Sequence, residues 1–348
     1  MKRAVIVGAG VGGLTTAIAL RAIGWKVSVY ERWPEVVAEG TALGIQPGAQ
    51  AGLASLGLGE DLHERTVPYR QAQVRRPDGR RLADLPLERI ERRTGTPVRM
   101  LSRASLIEML LRQVDPATIS TGVEITDPSA LRVCHDLVIG ADGVRSAVRR
   151  TFFGDATQPR YAGIVAWRGV IKGYEPRHYG ETWGHGQMFG MTPQAPGVTN
   201  WYAAVRTPGG NNESLDDLRA RFADWHDPIP WVLAEADDGA VLRHEVHELA
   251  PPPASYVKGN VALIGDAAHA MAPALGQGAC QALLDAIELA DRLHASAGDV
   301  PGALRAYDAR RRPAAQRIVT ASRWMTRLAV AGRLTGAPRD LLMRLLPA

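Results

Sequence analysis

The glycines of Gly8-Ala9-Gly10-Val11-Gly12-Gly13 have the spacing that brings a backbone turn against a phosphate, and the run follows the apolar stretch Ala4-Val5-Ile6-Val7. Each glycine has a separate task. Gly8 permits the tight turn, Gly10 lets a pyrophosphate approach the backbone, and Gly13 lets helix and strand pack closely. The helix opening at Gly12 presents free N–H groups and a favourable dipole to that negative charge. Glu31, 18 positions beyond Gly13, is placed to accept hydrogen bonds from an adenosine ribose, with Arg32 beside it. A carboxylate there repels a 2′-phosphate, which disfavours NADP at this site. The pattern reads as dinucleotide binding, but by itself it does not separate FAD from NAD.

A second acid-bearing turn makes that separation. In Leu263-Ile264-Gly265-Asp266-Ala267-Ala268-His269 a buried strand again ends on glycine and acid. The loop Pro273-Ala274-Leu275-Gly276-Gln277-Gly278 then delivers a helix whose first N–H groups are available to an electron-rich ring edge. A nicotinamide dinucleotide has no use for this second site. FAD has a ribityl chain and an isoalloxazine ring still to hold, and Asp266 reads as a ligand for ribityl hydroxyls or a pyrophosphate-linked water.

Positioning these residues calls for a parallel sheet assembled from separated pieces. A helix from Gly12 to about Ile23 and a strand Val27-Ser28-Val29-Tyr30 complete a βαβ unit. Further buried strands are read at Asp136-Leu137-Val138-Ile139, ahead of Gly140-Ala141-Asp142-Gly143, and at Val261-Ala262-Leu263-Ile264. The α/β reading is a Rossmann-like FAD-binding domain from 1–60, 98–150 and 258–300. A second, mainly β-sheet substrate domain takes 61–97 and 151–257, with alternating strands such as Ile164 to Val170 and Asn200 to Val205. A C-terminal helical segment fills 301–348.

Composition narrows the class. The 348 residues are 46% hydrophobic and 6% aromatic, enough for a large core. No apolar run reaches the ~18 residues of a spanning helix, so no membrane insertion is expected. The net charge of +5 comes almost wholly from arginine, since Lys2, Lys26, Lys172 and Lys258 are the only lysines. These arginines are scattered without aromatic interleaving, which argues against nucleic acid as a partner. Two cysteines, Cys134 and Cys280, support neither a disulfide framework nor a cysteine-rich metal site. His244 and His247 lie three apart on an apparent strand and face opposite sides, and no metal site is drawn. The cytoplasm is the expected location, because Met1-Lys2-Arg3 runs straight into a strand without a cleavable leader.

Taken together, Gly8 to Gly13 with Glu31, Asp136 to Arg145, and Gly265 to Gly278 resemble the motif set of the class A flavoprotein aromatic hydroxylases, typified by para-hydroxybenzoate and salicylate hydroxylases. The resemblance spans nearly the whole chain. It implies the para-hydroxybenzoate hydroxylase type of fold, and it assigns Arg103 to the ribityl and phosphate region of FAD. It gives Asp142 and Gly143 to both FAD and a transient pyridine nucleotide, and the Leu275-Gly276 backbone to the pyrimidine edge of the ring. The Gly44-Ile45-Gln46-Pro47 turn lies against the ring in this family. The segment between Leu111 and Asp136 is shorter than the family's usual β-meander, and the thioredoxin-like extension of some members is missing.

The activity so implied is single-component monooxygenation. NADH or NADPH reduces FAD, and O2 forms a flavin C4a-hydroperoxide that hydroxylates or epoxidises a small aromatic, polycyclic or alkene-bearing molecule. Arg168 is the candidate for steering an acidic or phenolic substrate. Gln46, Trp167, Trp183, His185, Phe189 and Trp201 are candidate substrate contacts, although strand alternation forbids Trp167 and Arg168 from facing the same way. The alternatives are an FAD-dependent oxidase, dehydrogenase or reductase on the same fold, or a non-catalytic binding protein. A halogenase is disfavoured because its Trp-x-Trp-x-Ile-Pro signature is missing. The chain is expected to act as a monomer or homodimer.

Overall fold

A computed structural model describes residues 1–37, 40–154, 157–207, 209, 213–332, 336, 338–340 and 343. Its first layer is a six-stranded sheet in the order Val257–Lys258, Val261–Leu263, Leu137–Gly140, Arg3–Val7, Lys26–Tyr30 and Ile119–Ser120. All neighbours are parallel except the first pair. Ala4 to Val7 and Leu137 to Ile139 are buried on both faces, which explains why they read as continuous apolar runs. Register sets the site. Val7 pairs with both Tyr30 and Gly140, and Gly140 pairs with Leu263. The turns after these strands therefore emerge side by side at the carboxyl edge, where an open α/β sheet binds its ligand.

The second layer is a seven-stranded sheet ordered Leu242–Leu249, Pro159–Lys172, Val198–Arg206, Gln187–Ala195, Gly180–Trp183, Gln73–Arg75 and Arg81–Asp84. One face is covered by helices Leu215–Phe222 and Ile229–Ala234, which pack on Trp167, Phe189 and Trp201. Two of those rings stack, with Phe189 and Trp201 centroids 5.8 Å apart. The expectation of a mainly β-sheet domain named no helix here. The Ser214-x-x-Asp217 capping box that starts the first of these helices is a helix signal in its own right.

A three-stranded sheet, Ala42–Ile45, Val98–Ser102 and Val67–Tyr69, lies between the two layers and is tied to the larger sheet by the Ala42 N–H donating to Asn200 Oδ1 at 3.3 Å. Between Leu111 and Asp136 there is one short strand, Ile119–Ser120, on the edge beside Tyr30, and a helix Ser129–Cys134. In the carboxy-terminal part a 30-residue helix, Val300–Ala329, runs continuously through Pro313, and the described residues 336, 338–340 and 343 are helical again. No helix among the described residues is long and apolar enough to cross a membrane.

Candidate active site

A cavity of about 550 Å³ opens where the carboxyl edge of the parallel sheet meets the face of the seven-stranded sheet opposite helices Leu215–Phe222 and Ile229–Ala234. Gly10, Gly12, Arg103 and Gly143 line it from the first layer, and Gly44 and Gln46 from the intervening strand and turn. Gly265, Asp266, Pro273, Leu275, Gly276 and Gly278 complete that side. Arg168 lies on the opposite wall. The structure thus brings most of the residues singled out in the sequence around one space.

The first glycine loop divides its work as its spacing predicts. Gly8 has φ +103°, and a Cβ there would meet Ala141 O at 2.4 Å. A Cβ on Gly13 would come within 1.9 Å of Gly8 O, so this glycine is required by helix–strand contact. A Cβ on Gly10 would meet nothing within 4 Å, which leaves the backbone there open to the cavity. Helix Val11–Ala22 starts with no side-chain cap and no acid in its first turn. Glu31 accepts from Ala9 N–H at 2.7 Å and Trp33 N–H at 3.2 Å, and a carboxylate retains further lone pairs for a ribose. Neither Glu31 nor exposed Arg32, whose guanidinium stands 5.0 Å from the Trp33 ring, lines the main cavity. Both follow the second strand at its carboxyl end.

Asp142 is held beside this loop with Oδ2 accepting from Val148 N–H at 3.1 Å. Its Oδ1 is buried with no hydrogen-bond partner among the described residues. Burial pushes this carboxyl above its usual range, against the pull of the Ser146 and Val148 donors. An open glycine cradle, an uncapped helix and an orphaned carboxylate oxygen are what the adenosine–pyrophosphate half of FAD would fill. At the other half, Gly276 has φ +60° and helix Gly278–Ala295 also begins without a side-chain cap or first-turn acid. Gln277 is the N-cap residue but does not line the cavity. Cys280 joins two parts of this half, donating to Gly44 O at 3.1 Å and accepting from Gln46 N–H at 3.4 Å. Burial raises its thiol to about 11, so it packs as a neutral side chain. Arg103 donates to Val37 O at 3.1 Å and opens helix Arg103–Leu111, which is capped by Ser102.

Arg149 braces the two acid-bearing turns. Buried, it donates to Ala267 O at 2.9 Å and Thr157 O at 3.0 Å, and it also reaches Val144 O. Its role was not foreseen, because nothing in the local pattern around Arg149 distinguishes it from other helical arginines.

On the opposite wall the pleat decides which residues meet the ligand. Ile164, Ala166 and Arg168, then Tyr202 and Ala204 on the next strand, face the cavity. Trp167, Phe189 and Trp201 point to the helix-covered face and are at most 3% exposed, so they are core residues and not substrate contacts. Trp183 is also buried, packing beside Met188 and donating its indole N–H to Glu181 Oε2 at 2.6 Å. His185 sits in the hairpin turn against Gly336, outside the cavity. None of these five residues, expected as substrate contacts, lines the cavity, whereas Ile164, Ala166, Arg168, Tyr202 and Ala204 do.

What the reading missed is a polar group beside Arg168. Tyr202 donates its hydroxyl to Glu181 Oε1 at 2.7 Å, and burial raises the carboxyl despite the Tyr202 and Trp183 donors. Burial also holds the Tyr202 phenol far above its ordinary value. Arg168 makes no hydrogen bond or ion pair among the described residues. Burial lowers its pKa, with Tyr202 acting in the opposite direction.

The description FAD binding domain applies to a family whose model matches residues 2–322. Among curated proteins, aurachin C monooxygenase/isomerase of Stigmatella aurantiaca is 32% identical over 322 residues, covering 87% of this chain and 83% of the relative. The 3-amino-4-hydroxybenzoate 2-monooxygenase of Streptomyces cremeus is 35% identical over 371 residues, covering 98% and 91%. Among solved structures, Klebsiella pneumoniae HpxO complexed with FAD and uric acid superposes with a TM-score of 0.89 at 28% identity, covering 99% of this chain and 92% of that one.

Proposed function

The chain belongs to the FAD binding domain family and is an FAD-dependent monooxygenase, and from that premise we propose that its substrate is a small aromatic, polycyclic or alkene-bearing molecule with an acidic group recognised by Arg168. Bound FAD supplies the redox chemistry, taking electrons from NADH or NADPH and activating O2 so that one oxygen atom is transferred to the substrate. Gly10, Gly143, Asp142 and Glu31 would hold its adenosine and pyrophosphate, and Arg103, Asp266 and the Leu275-Gly276 backbone its far half.

The observation that carries the substrate reading is the lone guanidinium of Arg168 on the cavity wall. A cation withdrawn from water is costly unless it is paired, so a carboxylate or phenolate is the fitting occupant. Ala166 and Ala204 keep the wall shallow enough for a planar ring, and Gly190 makes room for the Tyr202 ring, which a Cβ there would meet at 2.2 Å. A substrate hydroxyl donating to Tyr202 Oη would pass its proton through the Tyr202 hydroxyl to Glu181, whose raised pKa suits an acceptor. The two free thiols, exposed Cys134 and buried Cys280, support a cytoplasmic location, and a monomer or homodimer suffices because the cavity is formed within one chain.

The test pairs aromatic acids and phenols with their methyl esters and ethers. The free acid or phenol should stimulate NAD(P)H oxidation and yield product containing one atom of oxygen-18 from labelled O2. Oxidation without label in the product would point to a dehydrogenase or oxidase instead. Equal stimulation by the esters would remove the acidic-group assignment.

A further inference from the structure

Beneath the flavin side of the cavity lies a buried polar cluster that the oxygenation reading does not use. Asp285, on helix Gly278–Ala295, is fully buried. Its Oδ2 accepts from Gly265 N–H at 2.9 Å and from His269 Nε2 at 2.6 Å, and its Oδ1 accepts from Arg311 Nε at 2.7 Å. Arg311 comes from the long carboxy-terminal helix Val300–Ala329. Its Nη2 donates to Gln281 Oε1 at 2.7 Å, and Gln281 Nε2 donates in turn to Gln277 Oε1 at 3.1 Å.

One guanidinium is therefore linked to both segments assigned to the far half of FAD, to the Gly265 backbone of the first and to the Gln277 side chain of the second. Through Asp285 it holds the Gly265–Asp266 turn, and through Gln281 it holds the 273–278 loop at its Gln277 end. Gly265 has φ +56° and ψ −140°, a conformation that side-chain-bearing residues rarely adopt. A buried ion pair is a poor source of stability, because desolvation offsets most of the attraction. It is an effective source of fixed geometry, since each partner has a defined set of donors and acceptors.

We propose that Arg311 is a positioning residue for the flavin, setting the Gly265–Asp266 turn and the 273–278 loop relative to each other through Asp285 and Gln281. The inference rests on FAD binding in this cavity and is independent of which substrate is oxygenated.

The experiment uses the full chain stripped of FAD and titrated with it, without substrate, for Arg311→Lys, Arg311→Met and Gln281→Leu. Flavin fluorescence gives the affinity, visible circular dichroism reports the environment of the bound ring, and apoprotein Tm monitors the fold. Arg311→Lys keeps the charge but loses the fork, and should weaken FAD at least tenfold and change the visible dichroism while the apoprotein remains folded. Gln281→Leu cuts only the arm to Gln277 and should produce a smaller loss of the same kind, which keeps the test decisive if Arg311→Met does not fold. Wild-type affinity and dichroism in folded Arg311→Lys and Gln281→Leu would overturn the proposal. So would affinity losses that merely track a lower Tm. Normal effects here combined with unlabelled product in the oxygen-18 experiment would sink the oxygenation reading alone.

Discussion

At the scale of single residues, the glycines of the first loop separate two demands that the motif presents as one. Gly13→Ala would drive a Cβ into Gly8 O, and the helix must move; a stability loss of about 1–3 kcal/mol and loss of FAD are expected, read as Tm and flavin content. Gly10→Ala meets open space. Its apoprotein should melt with the wild type while FAD affinity falls, because the added methyl occupies the approach to the backbone. These roles were legible in the sequence, since turn, approach and contact follow from the spacing alone. Arg168 was legible only as a candidate. Its lack of a partner belongs to three dimensions, and it yields a sharper expectation: Arg168→Met should raise KM for an acidic substrate by about tenfold to a hundredfold, from the ~1.5–3 kcal/mol of a hydrogen bond to a charged group. Steady-state kinetics on an acid and its ester would check this, and the ester should be nearly unaffected.

At the scale of elements, the strand and helix starts around the cofactor were readable because each is marked by glycine or an acid at the end of a buried run. The seven-stranded sheet shows where such reading stops. Alternation correctly separates Trp167 from Arg168, yet it does not say which of them faces the ligand. Both faces of this sheet are covered, one by helices Leu215–Phe222 and Ile229–Ala234 and the other by the cofactor layer, so the usual contrast between wet and dry faces is missing. Helix Gly278–Ala295 carries a prediction of its own. Ala279 lines the cavity in its first turn, and no acid is present there. Ala279→Glu would place a negative charge where the helix end is positive and where reduced flavin becomes anionic. FAD affinity should fall and the flavin midpoint potential should become more negative; an unchanged potential would remove the role given to this helix end.

At the scale of the whole molecule, the cofactor layer is gathered from the beginning, middle and late parts of the chain, and the long helix Val300–Ala329 braces it from behind. The contacts that do so join Gly265, Asp285 and Arg311, and no local pattern announces them, because each residue alone looks like an ordinary turn or helical position. Their electrostatics are collective. Burial alone would raise the Asp285 carboxyl, but His269, Arg311 and the Gly265 N–H together hold it below the usual carboxylate range. A depressed folded-state pKa contributes stability that is present above the unfolded value near 3.9 and is lost as pH falls through the folded value. Thermal melts should therefore show an acid limb below about pH 4, and Asp285→Asn should flatten that limb while lowering Tm at neutral pH. The alternation along the strands Pro159–Lys172 and Val198–Arg206 has a further consequence for substitutions there. Odd-numbered positions such as Trp167 and Trp201 on these strands pack in the core, whereas their chain neighbours Arg168 and Tyr202 line the cavity. Substitutions one residue apart should therefore separate cleanly: at 168 and 202 they change the cavity wall, and at 167 and 201 they disturb the packing behind it.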